Sequence, residues 1–213
     1  MGLDLVPMGR PKPEHVGEWQ HLMEPLYRGE EESDEQGERR NAISILPYEA
    51  VGAPRVGEDP EADRWALSTR DPDSAQTDKE RLDDLEGFYV LRLVKDCDGL
   101  PNYTHAGMYD GVDETCFRGA FLNFCEDILD KGLLDRAWTP VMRPTEAVEY
   151  GTALSKAADE AEARGEIGKS WLRSLLKRRS DDMSFQEKID ILRSAGRWYV
   201  FWGKLGHPIN AWF

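Results

Sequence analysis

The chain predicts an α+β fold, predominantly helical, with a small irregular or two-to-three-stranded sheet element in its N-terminal half. Three observations carry that expectation. Apolar residues recur every three or four positions over 117–131, 145–164 and 184–202, the spacing that gathers side chains on one face of an α-helix. Two capping boxes, Thr77-Asp-Lys-Glu80 and Ser184-Phe-Gln-Glu187, place a hydroxyl and an acid three residues apart where helices begin. One segment alone, 88–94, is aromatic and β-branched enough to read as a strand, and a lone strand needs partners from 43–46 or from the N-terminal lead-in.

Taken in order, residues 1–12 are an extended lead-in broken by Pro7 and Pro11. Pro13 suits a first helical turn, and Val16, Trp19, Leu22 and Leu26 follow helical spacing up to Gly29. The run from 29 to 41 is charged and without apolar anchors, so it reads as a solvated loop. Pro47, Pro54, Gly57 and Pro60 make 43–64 a surface-wrapping coil with at most one short strand, anchored to the core by Trp65, Ala66 and Leu67. A short helix follows the Thr77 cap to about Glu86, then the strand at 88–94. In 117–131 the face is Phe117, Ala120, Phe121, Phe124, Cys125, Ile128 and Leu129, closed by Gly132. In 145–164 it is Val148, Gly151, Leu154, Ala158 and Ala161, whose small residues suit close helix packing. A basic helix is expected over 169–179, with Lys177, Arg178 and Arg179 at its end. The last helix buries Ile189, Leu192, Ala195 and Tyr199, with Trp198 and Trp202 beside them. His207 then caps its C-terminal carbonyls. Six of the last sixteen residues are aromatic, which marks this end as core.

At 213 residues the chain is read as a single domain, 1–213: loop-rich and acidic over 1–95, helical over 115–205, with its aromatic tail packed on the core. Net charge is −14, and residues 1–100 hold 24 acidic against 12 basic groups. Such a surface repels phosphate backbones, which argues against nucleic acid and for a basic partner or plain solubility. No stretch approaches the roughly 20 apolar residues of a membrane span, and no secretory leader is legible, so a cytoplasmic protein is expected. Arg outnumbers Lys 18 to 9, which fits a GC-rich bacterial genome.

The motifs are weak. Cys97, His105, Cys116 and Cys125 lack the paired C-x2–4-C spacing that aims two sulfurs at one zinc, so buried free thiols are expected and neither metal nor cofactor. Asp96-Cys-Asp98-Gly99 opens like a calcium loop, but Leu100, Pro101 and Gly107 stand where a ligand, a glycine and a glutamate belong. The long connection 95–114 is the favoured site. Tyr103, His105, Tyr109 and Asp110 are expected to share a polar, ligand-binding cleft between the 88–94 strand and the 117–131 helix. His105 with Asp110, Asp113 or Glu114 forms the candidate acid–base cluster, against the plainer reading of Asp110-Gly111 as a turn and Asp113 as a helix cap.

Two functions follow. The first is a non-enzymatic binding or regulatory protein, such as an acidic inhibitor or immunity-type partner of a basic protein, with the acidic N-terminal half as its contact face. The alternative is a small hydrolase-like enzyme using the His/Asp cluster of 95–114, which takes a small polar ligand.

Overall fold

The structure, a computed structural model, describes residues 2–71, 74–101, 115–167 and 183–212. It is a predominantly helical α+β fold with a small antiparallel sheet, as the sequence predicts. In chain order come β1 (Asp4–Pro7), β2 (Arg10–Pro11), α1 (Val16–Tyr27), α2 (Asp34–Ala42) and β3 (Ser44–Ile45). Then follow α3 (Pro47–Ala50), α4 (Pro60–Ser68) and α5 (Asp78–Leu85). The second half supplies α6 (Lys131–Arg136), β4 (Val141–Met142), α7 (Pro144–Ile167), α8 (Phe185–Lys204) and β5 (Ile209–Trp212).

The three-stranded sheet has the order β1-β5-β4, so its middle strand comes from the far end of the chain. Leu5 lies opposite Ala211, and Val141 opposite Asn210. Alternation turns Leu3 and Leu5 of the lead-in, and Ile209 and Ala211 of β5, into the core. On its other edge β1 is bridged by Phe117, whose N–H and carbonyl both bond to Leu5, at 2.9 and 2.8 Å. The expected pairing of the lead-in with 88–94 does not form: β1 pairs with Phe117 and with 209–212, and β4 joins the sheet through β5. The pairing of β2 with β3 makes a separate two-stranded ribbon.

Among the described elements, helices α7 and α8 form the largest packing interface. Ala147, Tyr150, Leu154, Ala158 and Ala161 line the buried side of α7. They face Ile189, Leu192, Ala195, Trp198, Tyr199 and Trp202 of α8, where the Ser184 capping box is present with both of its bonds. The helices touch through glycine: a Cβ on Gly151 would meet the carbonyl of Gly196 at 2.6 Å. Across the rim, Arg193 reaches Asp159 and Glu162 at 2.8 and 2.6 Å.

Several expectations are corrected. The charged run is helix α2, opened by Ser33 and Gln36 in a full capping box and held by Arg40, which is buried and pairs with Glu32 through two bonds of 2.8 and 2.9 Å. Residues 43–64 hold α3 and the start of α4 besides β3. Segment 88–94 is not a strand. Tyr89 makes one bridge to Arg55, and Leu91–Leu93 turns into a 3-10 helix. The available partner includes Pro54, which has no N–H to extend a ladder, and the segment packs instead with Val56, Ala62, Ala66 and Leu85.

Residues 117–131 are not one α-helix either. Gly119–Cys125 is a 3-10 helix. Gly119 is pressed so closely on β1 that a Cβ would lie 2.8 Å from Leu3 Cδ2, and Ala120 N–H donates to Leu3 O. Gly132 sits inside α6, whose cap is Asp130 accepting from Leu133 N–H at 2.9 Å. His207 caps α8 as expected, through its backbone: its N–H donates to Trp202 O at 3.0 Å, beside Gly206 N–H to Gly203 O, also at 3.0 Å. It is fully buried, and its Nδ1 lies 2.7 Å from Met8 O. The expected basic helix at 169–179 lies outside the described residues.

Candidate functional site

A 3-10 helix repeats every three residues, and that period decides which aromatics are buried in Gly119–Cys125. Gly119, Leu122 and Cys125 fall on the inner row. Phe121 and Phe124 then lie along the outer row, 38% and 50% exposed, with ring centroids 6.4 Å apart and planes tilted by 30°. An α-helical period over 117–131 places both inside. Their exposure follows from the tight turn that Gly119 makes against Leu3 and Leu5.

Phe121 is also one wall of an apolar groove of about 410 Å³. Phe117, Arg118 and Phe121 supply one side. The other is a face of α8 formed by Glu187, Asp190, Ile191 and Ser194, which are three or four residues apart and so lie together beside the buried stripe. Pro101 and Met183 border it. Phe117 lies on Trp198 at 5.9 Å between centroids, tying that wall to the core.

The acidic groups come from α8. Glu187 accepts the Ser184 N–H at 2.6 Å, and Asp190 accepts from Gln186 at 3.1 Å. Arg118 is the basic residue of the described lining, 3.9 Å from Asp4.

The residues singled out from sequence, Tyr103, His105, Tyr109, Asp110, Asp113 and Glu114, lie outside the described residues. The elements expected to frame their cleft are the bridge-and-turn at 88–94 and the 3-10 helix, not a strand and an α-helix. Of the two ends of that connection, Pro101 borders the groove, and Thr115 is buried with its carbonyl accepting Trp198 Nε1–H at 2.9 Å. Sequence reasoning missed Phe121 and Phe124 as surface, and Asp190 and Ile191 as groove lining. The available signal was Leu122 and Cys125 three apart behind a glycine.

The thiols are not set up as nucleophiles. Burial, then the Asp4 carboxylate, pushes Cys116 up to about 12. Burial raises Cys97 and Cys125 to about 11. All three are held protonated at neutral pH, which disfavours the thiolate that nucleophilic chemistry requires. Cys97 and Cys125 are expected to resist alkylation by iodoacetamide at pH 7.5 in the native protein and to react in denaturant, as mass spectrometry of the digest would show. Rapid native labelling would mean an activated thiol.

Among the described residues no group of three His, Cys, Asp or Glu side chains converges as a metal site would require. Nor is any of their helices long and apolar enough to cross a membrane. Comparison with protein-family models, curated proteins and solved structures finds no match to this chain.

Proposed function

We propose that this is a non-enzymatic binding protein that docks a segment of a basic protein partner in the groove between the 3-10 helix and α8. The observation that carries the reading is the groove with its exposed Phe121–Phe124 ridge. A contiguous apolar surface costs free energy in water and is found where another surface covers it. Its volume suits one or two apolar side chains of the partner. Glu187 and Asp190 on the α8 side favour Lys or Arg beside that anchor. The net charge of −14, concentrated in residues 1–100, steers a basic protein towards the molecule before contact. The sequence reading put the contact on the acidic half. Here that half supplies attraction, and the groove supplies the anchor. A stoichiometric inhibitor or immunity-type partner is the concrete form, and the three unpaired thiols fit the reducing cytoplasm.

The test uses two labelled amphipathic peptides with the same Leu and Phe positions, one carrying Lys and one Glu at every polar position. Fluorescence anisotropy is expected to show saturable binding of the Lys peptide, weakened by salt, and none of the Glu peptide. Phe121→Ser and Asp190→Arg should each weaken binding about tenfold while leaving Tm nearly unchanged. Equal binding of both peptides, or variants that bind like the parent, would remove the groove from the reading.

A further inference from the structure

We propose that His207 is a protonation-sensitive latch on the strand that backs the groove. Its functional meaning rests on the docking role of the groove, but the latch is testable in the free protein.

The latch joins the end of β1 to the turn between α8 and β5. Met8 N–H donates to Pro208 O at 2.8 Å, and His207 Nδ1–H donates to Met8 O at 2.7 Å. That second bond fixes the neutral tautomer with its lone pair on Nε2. Nε2 is buried and has no hydrogen-bond partner among the described residues. The ring stands edge-on to Trp202, 5.5 Å between centroids at 83°. A proton added at Nε2 would create a donor with no acceptor and a charge without solvent.

The charged group acting on the ring among the described residues is Arg10 of β2, whose Nη1 donates to Leu205 O at 3.1 Å. It opposes protonation. From the other packed elements, β1 presents the Met8 carbonyl and α8 presents Trp202, neither of which titrates. Burial, the larger cause, and Arg10 together lower His207 to about 4, against the partial support of the Met8 bond.

The strand held by this latch carries the groove wall. Leu5 pairs with Phe117 in both directions, Leu3 O accepts Ala120 N–H at 3.1 Å, and Gly119 rests on both leucine side chains. Phe117, Arg118 and Phe121 are the wall itself. Displacing β1 therefore displaces one side of the groove.

The sign follows from the lowered value. The latch is fully closed above the ordinary histidine range near 6.5, weakens as pH falls below it, and has lost its whole contribution once pH passes below about 4. Hydrogen exchange, corrected for the intrinsic pH dependence, is the readout at pH 7.0 and 4.5. In the wild-type chain the Met8, Leu5, Phe117 and Ala120 amides should lose about 50-fold in protection at the lower pH. The Leu154 and Leu192 amides of the helix pair should remain better protected than these at both pH values, because they open only with the whole fold. His207→Asn keeps an amide donor for Met8 O and cannot be protonated, so its wall amides should be insensitive to pH. An NMR titration of the His207 ring in the wild-type chain stands in if that variant does not fold, with a depressed midpoint that tracks wall exchange. Four results overturn the latch: wild-type wall amides that ignore pH, wall and helix amides that open together, an asparagine variant that behaves as wild type, or a ring midpoint near 6.5. Failure of the Lys peptide to bind at pH 7.5 would strike the docking role alone, because none of these measurements involves a partner.

Discussion

A chain ending at Arg197 is expected not to fold. The missing segment, 198–213, contains the last part of α8 and all of β5. Trp198, Tyr199 and Trp202 are at most 1% exposed, and Trp198 also bonds to Thr115 O at 2.9 Å. Each buried aromatic hides roughly 150–250 Å², worth about 4–6 kcal/mol as an upper figure. Three of them match or exceed the ~5–15 kcal/mol by which a whole domain is stable. The loss is also topological. β5 is the middle strand, so its removal leaves β1 and β4 without their shared partner. Circular dichroism melts and the soluble fraction of the truncated chain are the measurements. A soluble product with an undiminished cooperative melt would make this end an appendage. Two point variants refine the test. Trp198→Ala should cost about 3–5 kcal/mol in denaturant titration. Trp212→Ala, at a site 59% exposed, should cost far less.

The parts of the fold legible in the sequence are those whose signals are local. α8 has a capping box, a periodic apolar face and a charged outer face, and all three agree. α2 carries the same kind of cap at Ser33, but its one buried residue is Arg40, so it has no apolar stripe and its charge reads as loop. At 88–94 the composition suits a strand, and what defeats it is the partner: Pro54 stops the ladder that Arg55 begins. The sheet is hard to read for a related reason. β5 pairs with residues some two hundred positions away, and only Ile209 and Ala211 mark its inner side. The groove was hidden by a wrong period. Spacings of three and four fit an α-helix over 117–131, whereas contact of Gly119 with β1 sets a period of three and turns Phe121 and Phe124 outward. His207 shows the same limit. Its place after a helix end marks the cap that its backbone N–H supplies to Trp202 O, and only the return of β1 explains the burial of its ring.

Gly196→Ala is expected to destabilise the protein by about 1–3 kcal/mol, against the ordinary preference of helices for alanine. At an exposed helical position the exchange gains up to about 1 kcal/mol, because alanine has less backbone entropy to lose. Gly17 in α1 is such a position: a Cβ there meets no atom within 4 Å, and Gly17→Ala should stabilise. Gly196 faces the backbone of α7. Its Cβ would sit 2.7 Å from Gly151 O and would collide with Ser155 Oγ, which is already bonded back to Gly151 O at 3.0 Å. A serine hydroxyl can rotate away, but a helix carbonyl cannot, so α7 and α8 must move apart. That separation loosens the contacts of Leu154, Leu192 and Tyr199 along the same interface. The reciprocal site behaves alike, with Gly151 Cβ placed 2.6 Å from Gly196 O and 2.8 Å from Tyr199 Cβ. One separation of the helices accommodates both methyl groups. Gly151→Ala combined with Gly196→Ala should therefore cost less than the sum of the single variants. Urea titrations of the three variants and of Gly17→Ala decide the matter. A Gly196→Ala protein as stable as its parent would show that the helix crossing has room to spare.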